Sequence, residues 1–175
     1  MPENFIPKAV EHVRAAGGLY LSDEVQTGFG RLGSHYWGHQ AMEMGKPDII
    51  TMAKMMGNGF PIAAVATTKE IANCFGNKIT FSTYGGNPIA MATGREVLKV
   101  IDEEKLQENC QVMGALFMKG LKEIQNKYVE VGDVRGTGLM IGIELVTDSE
   151  TKAPNNKLFA DVFEKTKDHG ILLGK

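Results

Sequence analysis

Leu19-Tyr20-Leu21-Ser22-Asp23-Glu24-Val25-Gln26-Thr27-Gly28-Phe29-Gly30-Arg31 is the stretch on which the fold turns. An apolar run that follows Gly17-Gly18 delivers an acidic pair, Asp23 and Glu24, where strand-like sequence gives way to glycine-rich loop. In α/β proteins, working side chains stand at such strand ends, outside the carboxyl edge of the sheet. A second stretch repeats the pattern. Asp48-Ile49-Ile50-Thr51-Met52-Ala53 is a short apolar-centred run of the kind a parallel sheet buries on both faces. It delivers Lys54 towards Gly57-Asn58-Gly59-Phe60-Pro61, a loop too rich in glycine and proline to continue as helix. A carboxylate and a lysine are therefore expected at the ends of two buried strands in an α/β fold.

Outward from these two runs, residues 6–18 read as a helix opened by Pro7 and stopped by glycine. Residues 62–67 read as a small-residue strand, followed by a capped helix start at Thr68. A hydroxyl-rich turn, Thr80-Phe81-Ser82-Thr83-Tyr84-Gly85-Gly86-Asn87-Pro88, leads into a helix over 91–101. Hydroxyls and backbone N–H groups before a helix suit a phosphate, but taken alone they read first as plain capping. Beyond residue 104 the chain turns charged and amphipathic, with Leu106, Met113, Leu116, Phe117, Leu121 and Ile124 at helical spacing. A turn and strand over 131–145, a polar loop over 147–156, a helix over 157–168 and a strand over 170–175 complete the reading. The division predicted is residues 1–104 and 105–175.

Composition narrows the function classes. The 175 residues are 43% hydrophobic and carry a formal net charge of -2, which is ordinary globular composition. That charge offers no footprint for nucleic acid, and no apolar run reaches the roughly 20 residues that span a bilayer. Cys74 and Cys110 lack a CxxC spacing and are expected as free thiols. Gly28-Phe29-Gly30-Arg31-Leu32-Gly33 matches a dinucleotide fingerprint, but Ser34-His35-Tyr36-Trp37-Gly38-His39 behind it lacks helical periodicity, so a flexible loop is expected instead. His35 and His39 are spaced i, i+4 without a third ligand, and no metal site is expected. Arg135 is expected to pair structurally rather than bind an anion.

A lysine amine and an acid are the two protein groups that pyridoxal phosphate chemistry needs most: one forms a Schiff base with the aldehyde, the other holds the pyridinium nitrogen protonated. On Asp23-Glu24-Val25-Gln26-Thr27-Gly28-Phe29-Gly30-Arg31-Leu32-Gly33 and on Lys54 with its glycine loop, the chain resembles the class III, fold-type I aminotransferases over nearly its whole length. The resemblance implies part of the large cofactor domain, a mostly parallel sheet with flanking helices, plus the start of a small α+β C-terminal domain. It implies pyridoxal 5′-phosphate as cofactor, with Lys54 forming the internal aldimine and Asp23 facing the ring nitrogen. Val25 would pack on a ring face, Gln26 would contact the ring hydroxyl, and Glu24 would support them. Thr83, with Ser82 beside it, would reach the phosphate of a neighbouring subunit's cofactor, which brings a homodimer.

The implied reaction moves an amino group from an alanine-like donor to a glyoxylate-like 2-oxo acid. Phospho-lyases of the same family share the Asp, Lys and Thr motifs and remain an alternative, as does an inert fragment. The chain opens and closes in mid-pattern, and truncation at both ends is expected, leaving out the phosphate cup, a ring-stacking aromatic residue and a substrate-carboxylate arginine. The compartment implied by the resemblance is mitochondrial, and otherwise cytoplasmic.

Overall fold

The computed structural model describes residues 4–43, 45–76, 78–79 and 81–174. Thr80, with which the hydroxyl-rich turn opens, and Lys175, which closes the last expected strand, lie outside the described residues, as do residues 1–3. The chain divides into two compact units, Met1–Val112 and Met113–Lys175.

In the first unit, helix α1 (Phe5–Ala15) gives way to glycine, and Gly17 turns left-handed at φ 77°. Strand β1 (Leu21–Asp23) follows, and after a long loop β2 (Ile49–Met52) pairs parallel with it, Leu21 against Ile49 and Asp23 against Thr51. This pair is clamped where it begins. Asp48 Oδ2 accepts the Tyr20 backbone N–H at 2.8 Å and the Arg14 guanidinium at 3.5 Å, and Arg14 also donates to the Lys46 carbonyl. Strand β3 (Ala64–Thr67) flanks β2 antiparallel, so the described sheet is mixed rather than wholly parallel, with order β1-β2-β3. A parallel return needs a crossover of about a dozen residues or more, usually helical. Residues 53–63 are a turn-rich loop that simply doubles back.

The loop between β1 and β2 holds much of this unit's core. Phe29 and Leu32 are buried, and Phe29, Tyr36 and Trp37 meet edge to face with centroids 5.1–5.9 Å apart. It also holds a one-turn helix, α2 (Gly38–Ala41), where the sequence shows no helical period. The short helix α3 (Lys69–Asn73) is capped by Thr68, and α4 (Pro88–Glu103) buries Ala90 and Ile101. Asn87 starts α4 earlier than the apolar spacing predicts: its Oδ1 accepts the N–H groups of Ile89 and Ala90 at 2.9 and 3.2 Å. Asn87→Ala is expected to cost about 1 kcal/mol in urea unfolding, and an unchanged midpoint would show the cap to be idle.

Helix α5 (Leu106–Lys127) begins in this unit. Gln107 Nε2 donates to the Gly33 carbonyl at 3.0 Å, and a Cβ on Gly33, whose φ is 73°, would stand 2.6 Å from Gln111 Cα. Gly30 and Gly33 of the fingerprint-like stretch thus serve close packing on α5, Gly28 lies against the Trp37 ring, and no helix starts among them.

The second unit contains the later part of α5, strands β4 (Val131–Thr137) and β5 (Met140–Leu145), and helix α6 (Asn156–Asp168). The turn and strand expected over 131–145 are an antiparallel hairpin. Lys122 Nζ donates to the Val134 carbonyl at 2.7 Å, and Leu121, Val134 and Val146 are buried. Arg135 pairs with Asp133 and with Glu144 across the hairpin, the structural role expected of it. Residues 171–174 form no strand, contrary to the sequence reading, because β-structure requires a hydrogen-bonding neighbour and none pairs with them among the described residues.

Candidate functional site

Parallel pairing sends the carboxyl ends of β1 and β2 to the same edge of the sheet, and the two singled-out side chains are there. Asp23 ends β1, and its Oδ1 accepts the Val25 N–H at 3.1 Å and the Thr51 hydroxyl at 3.2 Å. Thr51 is the residue that faces Asp23 in the strand register, so the sheet itself orients the carboxylate. Lys54 opens a single 3₁₀ turn just past β2, with its backbone in the left-handed region at φ 47°. A side-chain-bearing residue held there stores roughly 1–3 kcal/mol, and such strain concentrates at functional sites. Its Nζ donates to Gln26 Oε1 at 2.9 Å, which joins the two strand ends through side chains.

Beside Lys54 lies an open hollow of about 700 Å³ whose lining includes Arg31, Met55, Asn58, Phe60 and Ile62. Asp23, Val25 and Gln26 do not line it; they adjoin it through the Lys54–Gln26 bond. Ser82 and Thr83 are exposed in the turn before α4 and do not line it either. The described residues thus bring Asp23, Gln26 and Lys54 together and leave Ser82 and Thr83 apart.

Among the described residues Glu24 is the most completely buried charged group, at 0% exposure. Its carboxylate accepts the Ser22 hydroxyl at 3.0 Å, the Thr27 hydroxyl at 2.5 Å, the Gly38 N–H at 2.7 Å, the His39 N–H at 2.9 Å and the His39 ring Nδ1–H at 2.8 Å. Burial pushes its pKa up, but the bonds from Thr27, the His39 and Gly38 backbone and the His39 ring outweigh that, and it falls from 4.5 to about 2. An ionised carboxylate only accepts, so Nδ1 of His39 is assigned the proton. The same bonds explain α2: its first N–H groups are satisfied by Glu24, a partner fourteen residues upstream that no local pattern reveals.

Sequence reasoning gave Glu24 a supporting role without its partners and weighed His39 as a metal ligand but not as a partner of that carboxylate; it also passed over Thr51 and Arg31. Thr51 could have been found from its register with Asp23, but Arg31 sits in a fingerprint that draws attention to the glycines. Among the described residues no group of three or more His, Cys, Asp or Glu is placed to hold a metal, and no helix is long and apolar enough to cross a membrane.

Comparison with known proteins gives the family and the fold. The chain is 49% identical to ethanolamine-phosphate phospho-lyase homolog 1 of Caenorhabditis elegans over 98% of its length and 38% of the relative's. It is also 49% identical to mitochondrial alanine–glyoxylate aminotransferase 2 of Homo sapiens, over 99% of its length and 34% of the relative's. The chain therefore spans well under half of the curated relatives it matches. Among solved structures, a phospholyase from Arthrobacter in complex with phosphoethanolamine superposes with a TM-score of 0.94 at 40% identity, covering 100% of this chain and 42% of that one. An aminotransferase of Bacillus anthracis superposes with a TM-score of 0.89 at 39% identity, covering 99% and 40%. These likenesses place the fold with the fold-type I transaminases, which are pyridoxal 5′-phosphate enzymes. With the model of Aminotransferase class-III matching residues 1–175 from end to end, the chain belongs to the class III aminotransferase family.

Proposed function

We propose that the protein carrying this chain is an aminotransferase that uses pyridoxal 5′-phosphate to move an amino group from an alanine-like donor to a glyoxylate-like 2-oxo acid, and that the chain supplies the lysine-bearing part of its site. The observation that carries this reading is the Lys54 amine, 2.9 Å from Gln26 Oε1, at the same sheet edge as the Asp23 carboxylate. The residues fit the cofactor. A primary amine stands beside an open hollow, and a carboxylate on the next strand is fixed through one oxygen, with Oδ2 available to a ring N–H.

When bound, the cofactor supplies an aldehyde and a ring that delocalises the electron pair left at the substrate Cα. Lys54 Nζ would be the amine that holds the cofactor through its aldehyde, and it would take and return the substrate Cα proton. Asp23 would keep a proton on the ring nitrogen, Gln26 would orient the amine and contact the ring hydroxyl, and Val25 would pack on the ring. Thr83 and Ser82 serve a second copy of the chain in a homodimer. Thr83 stands near Phe81 and Tyr84, which are 88% and 81% exposed and suit a face that a second copy covers. Residues 1–104 would belong to the large cofactor domain and 105–175 to the linking helix and the small domain. The human relative's name supports a mitochondrial location.

A phospho-lyase is the second reading, favoured by the name of the Caenorhabditis elegans relative and of the Arthrobacter structure. Product analysis separates the two. Alanine plus glyoxylate is expected to give pyruvate and glycine, with no phosphate released from phosphoethanolamine. Phosphate release without pyruvate would replace the first reading by the second.

A further inference from the structure

Gln26 engages the Lys54 amine, yet it is exposed, so packing does not set its position. Its place comes from the turn it occupies. That turn closes through the Gly28 N–H on the Glu24 carbonyl at 3.0 Å and through the Thr27 hydroxyl on Glu24 Oε2. Glu24 in turn is held from the far side by Gly38 and by both the backbone and the ring of His39, whose side chain is 10% exposed against 1% for that of Glu24. The contacts run without a break from the His39 ring to Glu24, across the 24–28 turn to Gln26, and on to Lys54 Nζ.

We propose that His39 and Glu24 are positioning residues: they clasp the 24–28 turn so that Gln26 presents its amide oxygen to Lys54, and thereby set how readily that amine reacts. The proposal rests on the reading of Lys54 as the reactive amine. It assigns His39 a function beyond filling space, because the ring supplies one of the five hydrogen bonds that fix the buried carboxylate.

The test reads the amine itself in the cofactor-free protein. Acetic anhydride labelling of Lys54, quantified by peptide mass spectrometry, is compared with labelling of Lys99, an exposed residue on α4. Gln26→Leu removes the acceptor and is expected to speed Lys54 labelling about three- to tenfold, the range one net hydrogen bond is worth. His39→Leu is expected to speed it in the same direction with Lys99 unchanged, and His39→Asn, which keeps a side-chain N–H donor, is expected to restore the original rate. Thr27→Val opens the clasp from its other side and carries the same expectation, so a misfolded His39→Leu does not remove the test.

Labelling of Lys54 at the original rate in folded His39→Leu or Thr27→Val, with Gln26→Leu accelerated, would overturn the proposal and leave His39 a packing residue. Cofactor absorbance recorded in parallel separates this from the functional reading. Faster labelling in a protein that never gains that absorbance would uphold the clasp and overturn the cofactor assignment.

Discussion

Lys54→Ala is expected to lower transamination by roughly 10⁴-fold or more, since on the proposed function one side chain would both react with the carbonyl and transfer the proton. The same change is expected to leave stability within about 1 kcal/mol of the original, because the lost contact is one exposed hydrogen bond and alanine suffers the left-handed backbone about as lysine does. This split between activity and stability is the informative part. Lys54→Arg extends it: a guanidinium keeps the charge but is not a primary amine, and it is expected to be as inactive as alanine. The measurements are product formation, absorbance of added pyridoxal 5′-phosphate and the unfolding midpoint. Activity retained within tenfold in either variant would remove Lys54 from the chemistry, whatever the family relationship.

Glu24→Ala is expected to have the largest effect on stability of any single substitution in the first unit, about 3–5 kcal/mol. It leaves two hydroxyls, two backbone N–H groups and the His39 ring without their buried acceptor. That loss compares with the whole stability of an ordinary domain, roughly 5–15 kcal/mol. Glu24→Gln separates charge from shape, because an amide offers one oxygen where the carboxylate offers two.

The pH dependence carries a sign. The folded pKa, about 2, lies below the unfolded value of 4.5, so the Glu24 contribution is complete above pH 4.5 and fades as pH falls towards 2. The gap of about 2.5 units is worth about 3 kcal/mol. The stability difference between the original chain and Glu24→Gln should therefore be constant near neutrality and shrink as pH falls from 4.5 towards 2. Comparing the two removes the background from other carboxylates, among them Asp48, held low first by the Tyr20 N–H, and Asp148, held low first by the Thr151 hydroxyl. A difference that does not change with pH would mean that the charge is not what the five donors recognise.

The α/β character of the chain was legible because it is written locally. Short apolar runs ending in Asp23 and Lys54 predict strands, and the spacing from Leu106 to Ile124 predicts the helix observed as α5. Features that depend on distant partners were not. The direction of β3 is decided by how residues 53–63 fold back, and the hairpin of β4 and β5 by a turn containing Gly138 at φ 57°. Helix α2 exists because a carboxylate from another part of the chain receives its N–H groups, and composition around Gly38 says nothing of that. Arg31 is similar: only the folded loop brings it to the hollow beside Lys54. The fingerprint was set aside for want of a helix behind it, but what Gly30 and Gly33 do serve, clearance for Gln107 and Gln111 on α5, lies far along the sequence and was not legible.

The Arg14–Asp48–Tyr20 clamp acts as the zero mark of a ruler. From Asp48 to Thr51 is three strand steps, roughly 10 Å, and each step reverses the side of the sheet on which a side chain emerges. The alignment of an acid on one strand with an amine just past the next is thus calibrated at the far end of the ladder. Loops at the working edge can vary in length and composition without disturbing that alignment, whereas a single residue gained or lost along β2 would invert it.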